Sequence, residues 1–467
     1  MKIESLLARI CLPLSLAVLA QTTRADDVTS ATGAGEAHDN IAPSLTVNYL
    51  INTDGIFPNA TNSGGGAMIG EIRWSSDLLA PSGWLRCEGQ LLTISSNPAL
   101  FSVLGTRYGG DGITNYRLPD LRGRTPIGAG PGIGLTHRVL GEVIGEEAHS
   151  VSIDEMPAHL HVVPGGASSE ATGGGQAHPN MQPSLALHYI LRTFGEFPSD
   201  SGSPTGDTFV AEVRLFAGDF EPDGWVFCDG RLIDIPSNFA LFALVGTIYG
   251  GDGISTFGLP DLRGRTAVGS GQGFGLTNRP IGSMFGEENA GLNVSQLPVH
   301  THEIFGIGAT APAGNNDPHN NLQPSLAMKF MVRDSGPLPS GTGSPFDSFT
   351  AEMRIFASNF VPSGFLEADG ALVLSNNAII LSALIGNTFG GDGQSNFALP
   401  DMRGRCAIGR GQAPGLTGYS IGDEVGTETV QLTEAQMTFR THDVFGLLKR
   451  RDFREIGAWR RQRKVLI

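Results

Sequence analysis

Gly230-Arg-Leu-Ile-Asp-Ile-Pro-Ser-Asn-Phe-Ala-Leu-Phe-Ala-Leu-Val-Gly-Thr-Ile-Tyr-Gly-Gly-Asp-Gly253, closing on Leu259-Pro-Asp-Leu-Arg-Gly-Arg265, occurs three times with small changes. A near copy runs from Gly89 to Gly112 and closes on Leu118-Pro-Asp-Leu-Arg-Gly-Arg124. A third runs from Gly370 to Gly393 and closes on Leu399-Pro-Asp-Met-Arg-Gly-Arg405. A module repeated at this length sets the architecture, because each copy is one folding unit.

The repeat extends upstream. His38-Asp-Asn-Ile-Ala-Pro-Ser-Leu45 matches His178-Pro-Asn-Met-Gln-Pro-Ser-Leu185 and His319-Asn-Asn-Leu-Gln-Pro-Ser-Leu326, at spacings of 140 and 141 residues. Gly/Ser/Pro stretches lie between the blocks: Pro164 to Ala177, Ser199 to Asp207, Gly306 to Pro318 and Pro337 to Asp347. Their composition predicts flexible connectors or exposed loops. Within a block, Glu212-Val-Arg-Leu-Phe216 alternates as a half-buried strand does, and Pro222-Asp-Gly-Trp225 reads as a turn into a second strand. Asn238 to Val245 reads as a short helix, with Asn as cap and Gly246 after its end. Pro98 takes the first helical position in the first copy. Gly250-Gly-Asp-Gly253 reads as a tight loop. It lacks the Lys-Ser/Thr of a phosphate loop, and its single Asp is too few for calcium.

The predicted fold class is therefore α+β, mainly β, in three tandem modules with short helices and Gly-rich loops. The 467 residues suit three domains, and 65 Gly with 28 Pro suit a loop-rich chain. Net charge is -15, yet the segment from Leu447 to Ile467 carries eight Lys/Arg against Asp452 and Glu455. An acidic body is a poor partner for phosphate, so no nucleic-acid binding is expected. Residues 1–25 read as a secretory signal: Lys2 and Arg9, an apolar run from Ile10 to Ala20, and a cut after Ala20 or Ala25. The run is too short to span a bilayer, so the expected location is secreted or at the cell surface. Of four Cys, Cys87 and Cys228 stand at equivalent places, where the third copy has Ala368, and Cys406 stands elsewhere. They read as small buried residues, not a disulfide framework.

The Gly-Trp…Cys-Asp-Gly…Ala-Leu-Phe…Tyr-Gly-Gly-Asp-Gly…Leu-Pro-Asp-Leu-Arg-Gly-Arg string resembles the phage tail-collar domain. With Met156-Pro-Ala-His-Leu-His161 and Gln182-Pro-Ser-Leu-Ala-Leu187, the longer unit resembles bacterial microcystin-dependent proteins. The resemblance runs from about Gly33 to Gly446. It implies collar units at 33–163 (core 69–125), 173–305 (core 210–266) and 314–446 (core 350–406), followed by a basic tail at 447–467.

Two constellations recur. The first is Asp120, Arg122 and Arg124, with Asp261, Arg263, Arg265 and Asp401, Arg403, Arg405. An Asp–Arg pair locking a turn is the expected use, because no second carboxylate recurs at a hydrolase spacing. The second is His-x-His: His159 and His161, His300 and His302, then Arg440 and His442. Residues i and i+2 of an extended segment share a face, and neutral imidazole suits zinc and its neighbours. Two ligands are too few for zinc, which takes four, so further copies must come close. The other reading is packing and hydrogen bonding at a turn. In trimeric tail-fibre relatives a His-x-His from each of three chains surrounds one metal on the axis. The resemblance thus implies His159, His161, His300, His302 and His442 as ligands of zinc or a similar divalent ion. Arg440 breaks the set, being unfavourable beside a cation unless it swings out. His38, His178 and His319 read as capping or turn hydrogen-bonders, with extra metal ligands or glycan contacts as the alternatives. Trp74, Trp84 and Trp225 read as core rather than as sugar platforms.

These readings imply a secreted, non-enzymatic, adhesive or structural protein. Its partner is a cell-surface glycan or protein. Its assembly is a pseudo-trimer within one chain or a homotrimer. The alternatives are a metal-dependent hydrolase using the His-x-His pairs, and a component of a phage-derived tail or injection structure.

Overall fold

The structure, a computed structural model, describes residues 28–58, 66–77, 79–198, 208–304, 307–339 and 348–444. The signal segment, the basic tail from Leu447, the Ser199–Asp207 connector and most of the Pro337–Asp347 connector lie outside the described residues. The rest is mainly β, with three short α-helices, Pro98–Leu104, Phe239–Val245 and Ile379–Ile385, one per unit. Among the described residues no helix is long and apolar enough to cross a membrane.

Each unit is built on a nine-residue strand: Ser44–Asn52, Ser184–Arg192 and Ser325–Arg333. Its second half pairs antiparallel with two strands of its own unit, such as Glu71–Ser75 and Trp84–Arg86 in the first. Its first half pairs in parallel with a strand of another unit. Ser184 to Leu187 lies beside Thr125 to Gly128 of the first unit, and Ser325 to Met328 beside Thr266 to Gly269 of the second. Ser44 to Val47 then lies beside Cys406 to Gly409 of the third. The exchange closes on itself, so the three units form a ring about a pseudo-threefold axis. Long strands buried on both faces along nearly their whole length are the expected outcome.

The ring is locked at its circumference by acidic side chains. Glu288 of the second unit accepts from the Thr136 amide and hydroxyl and pairs with Arg138 of the first. Glu428 of the third does the same for Thr277 and Arg279 of the second. Glu147 of the first accepts from Thr417 and, at 3.0 Å, from the Tyr419 hydroxyl of the third.

Glu212–Phe216 is not half-buried: all five residues are buried. It packs edge to edge with Glu71–Ser75 and Glu352–Phe356, which also pair with each other. Three strands thus meet around the axis and bury both faces of each. Their charged residues form a closed ring. Arg73 pairs with Glu71 (2.5 Å) and Glu352 (3.2 Å), Arg214 with Glu71 and Glu212 (both 2.6 Å), and Arg354 with Glu212 (3.2 Å) and Glu352 (2.9 Å). Desolvating such ions is costly, and only near-complete mutual pairing offsets it.

The helix cap differs from the sequence expectation. Asn238 occupies the N-cap but makes no side-chain cap bond; its amide donates to the Asp234 carbonyl at 3.0 Å instead. The Gly250-Gly-Asp-Gly253 loop is closed by Asp252, whose carboxylate accepts from the backbone of Ile254, Ser255 and Thr256 and from the Ser255 hydroxyl. These bonds hold its carboxyl well below the usual range. Gly251 has φ 91°, and a Cβ there would lie 2.4 Å from Phe257 Cα, so glycine is required.

Candidate functional site: histidine layers on the axis

The His-x-His segments line the axis. His159, His161 and Val163 face inward, while Leu160 and Val162 between them stay about half exposed. This period of two is that of an extended chain. The same side of the other segments supplies His300, His302 and Ile304, and then Arg440, His442 and Val444. Val163, Ile304 and Val444 pack into one apolar plug. Met156, Leu297 and Met437 belong to another apolar cluster at the opposite end of the segments.

Pro164–Ala177 and the described part of Gly306–Pro318 are mostly exposed loops, one of the two forms their composition predicts, but they are not free connectors. Thr172 bridges back to His159, and Ala313 to His300. Ser169 Oγ accepts from the His161 amide and Thr310 Oγ1 from the His302 amide, both at 3.0 Å. Isolated backbone bridges to the inward-facing segment tie these Gly-rich stretches down. In the third unit no such stretch follows His442 among the described residues, and the chain's own beginning takes the place. Thr32 bridges to Arg440, and Thr29 Oγ1 accepts from the His442 amide at 2.9 Å. The segment from Val28 to Thr32 therefore completes the third unit and closes the ring.

His161, His302 and His442 form a triangle with ring centroids 4.7, 4.8 and 4.8 Å apart, each ring edge-on to the next. Each Nδ1 faces a backbone carbonyl of another segment: Ala311 at 2.9 Å, Ser30 at 2.7 Å and Glu170 at 3.0 Å. A carbonyl oxygen only accepts, so Nδ1 carries the proton and Nε2 keeps its lone pair. All three Nε2 atoms are buried without a protein partner, and ring nitrogens of the three residues lie within 4.8 Å of one another.

The other layer is different. His159 and His300 direct Nδ1 at the carbonyls of Pro157 and Pro298. Their Nε2 atoms accept from Arg440 Nη2, at 3.2 and 2.6 Å. Arg440 has not swung out: it is 3% exposed. The five histidines therefore divide, with two bound to a guanidinium and three open. Burial lowers every one of them, to about 4 for His159 and His442 and about 3 for His300, with Arg440 adding to the effect at His159 and His300. Burial also brings Arg440 down to about 10, still a cation at neutral pH.

The Asp–Arg strings sit at the turns entering the exchanged strands. Arg122 donates from Nε and Nη2 to the two carboxylate oxygens of Asp120, both at 2.9 Å, and Arg124 donates to the Asp120 carbonyl at 3.2 Å. Asp261 with Arg263 and Arg265, and Asp401 with Arg403 and Arg405, repeat the arrangement. Trp74, Trp84 and Trp225 are buried, as is Phe365, which leaves none of them a free face for a sugar. Cys87, Cys228 and Cys406 are buried free thiols.

The residues that sequence reading missed are the Glu/Arg ring and Asn40, Asn180 and Asn321. Both carry a signal in the sequence, since Glu-x-Arg and His-x-Asn recur in all three units.

Three segments of this chain, 70–126, 211–267 and 351–407, match the family model of the Phage Tail Collar Domain. These segments are tail-collar domains, and the chain carries three of them in tandem. Over 117 residues the chain is 34% identical to the short tail fiber protein gp12 of Enterobacteria phage T4. That match covers 24% of this chain and 22% of the phage protein, about a fifth of its length. No solved structure matches the chain.

Proposed function

We propose that this chain is a tail-fibre-like, non-enzymatic structural protein in which one polypeptide supplies the three copies that a trimeric fibre draws from three chains. The cyclic strand exchange, closed by Val28 to Thr32 on the third unit, carries this reading. The collar domains and the tail-fibre relative support it. Light scattering tests it. A monomeric mass near 49.1 kDa, less any removed leader, is expected; a stable homotrimer would overturn the internal ring.

Within that reading the protein works outside the cell and binds a surface glycan or protein. With Trp74, Trp84 and Trp225 buried, contact falls to exposed apolar tips such as Ile133, Phe274, Ile113 and Ile254. A glycan array comparing wild type with Phe274→Ala tests this, and equal binding by both would remove Phe274 from the contact. Cell fractionation tests the location, and retention in the cytoplasm would refute it.

The open triangle of His161, His302 and His442 is read as a divalent-metal clasp. Neutral imidazoles with fixed Nδ1 protons suit zinc or a similar ion. All three are at most 1% exposed and are plugged by Val163, Ile304 and Val444. Such burial favours a clasp over a hydrolytic centre, which needs substrate access. Elemental analysis, with thermal unfolding in chelator, tests it. No metal and no chelator effect would remove the clasp and leave the ring intact.

A further inference from the structure

A second histidine triangle lies elsewhere on the axis, and we propose that His38, His178 and His319 form a separate binding site for a divalent transition-metal ion of the zinc type. It goes beyond the reading above and does not depend on it. The three rings are edge-on to one another, with centroids 5.1, 5.0 and 5.1 Å apart. Their exposures are 0, 0 and 1%. Each Nδ1 donates to the carbonyl of the next residue: Asp39 at 2.9 Å, Pro179 at 2.9 Å and Asn320 at 3.0 Å. This fixes the tautomer and leaves three Nε2 lone pairs, all buried and all without a protein partner. Ring nitrogens of the three residues lie within 4.8 Å of one another. Zn–N bonds of about 2.0–2.1 Å set tetrahedral nitrogens about 3.4 Å apart, so small ring rotations close the site.

Two residues beyond each histidine stand Asn40, Asn180 and Asn321. Each spends its amide group on carbonyls, including one of the next unit: Met181, Leu322 and Ile41. Each side-chain oxygen is buried and unpartnered. Six acceptors without a donor are thus buried near the axis. Leaving a buried polar group unsatisfied is costly. A single water has only two protons to give, whereas a cation satisfies three lone pairs at once. Three neutral imidazoles select the zinc-like ions over magnesium or calcium. Burial first of all holds these rings neutral, bringing His38 and His319 to about 4 and lowering His178. His149 stacks on His178 but is not a fourth ligand, because its two nitrogens face Glu146 and Glu155. Its positional counterparts are Ala290 and Val430.

The test is Co(II) and Zn(II) binding by the full chain, counted by elemental analysis after gel filtration. His178→Ala should hold one metal equivalent fewer than wild type, while His302→Ala, which opens only the other triangle, should keep this one. Equal metal content in wild type and folded His178→Ala would overturn the proposal. Should His178→Ala not fold, crystals of wild type grown with zinc answer the same question. Anomalous scattering is expected between the three Nε2 atoms, and none there would refute the site. Loss of metal in His302→Ala alone would refute this site and leave the other clasp standing.

Discussion

Arg440 Nη2 lies 2.6 Å from His300 Nε2, where a guanidinium on a neighbouring segment donates into a lone pair that would otherwise be open to a metal. The same nitrogen reaches His159 Nε2 at 3.2 Å. A monovalent organic cation thus satisfies the layer in which its two partners are imidazoles.

Arg440→His is expected to restore a full set of six imidazoles. Divalent-metal affinity should tighten about tenfold or more, which is about 1.4 kcal/mol. With metal a hundredfold above Kd, stabilisation of about 2.7 kcal/mol follows. Zinc titration by calorimetry and melting with and without chelator read both. Arg440→Ala is expected to cost about 2 kcal/mol, because it leaves two buried Nε2 atoms unpartnered.

Acid should destabilise the fold. In the unfolded chain the axial imidazoles titrate near 6.5, and in the folded chain burial holds His38, His159, His319 and His442 near 4. Between those values the unfolded state binds more protons, so stability is full above about 6.5 and falls as pH drops toward 4. Urea midpoints measured in chelator from pH 8 to pH 4 should decline across that window, and a flat profile would contradict it.

The buried charge ring should be intolerant of single deletions. Arg214→Met leaves Glu71 and Glu212 each short of a partner and is expected to cost about 3–5 kcal/mol. Arg231→Met, at a more exposed pair with Asp229 and Glu221, should cost about 0–1 kcal/mol. Urea unfolding compares the two.

Thr29→Val removes the hydroxyl that accepts from the His442 amide. The loss is about 1 kcal/mol and should be local. Amide exchange should quicken around Arg440 to Val444 and stay unchanged around His159 to Val163.

Legibility in the sequence follows distance along the chain. The Asp120–Arg122 contact spans two residues, and the Gly251 loop closes over six, so a string reading reaches both. The repeat shows that three units exist, and the His-x-His spacing shows which side chains share a face. Neither shows that Ser184 pairs with Thr125 instead of with its own unit. Glu212 and Arg214 look amphipathic because alternation records polarity, whereas their burial comes from two other strands closing over them. His178 does donate to a neighbouring carbonyl; its opposite nitrogen is defined only by His38 and His319, about 140 residues away on either side.

Closure of the ring by a single chain changes what mutation is able to do. A homotrimer writes each substitution three times, so an arginine on its axis would place three guanidinium groups in one narrow space. A fused chain writes it once. Arg440, Cys406 and His149 are each such a singular event, standing opposite His159 and His300, Thr125 and Thr266, and Ala290 and Val430. Internal triplication thus releases the axis from symmetry, and each layer of the core is free to become chemically one-sided.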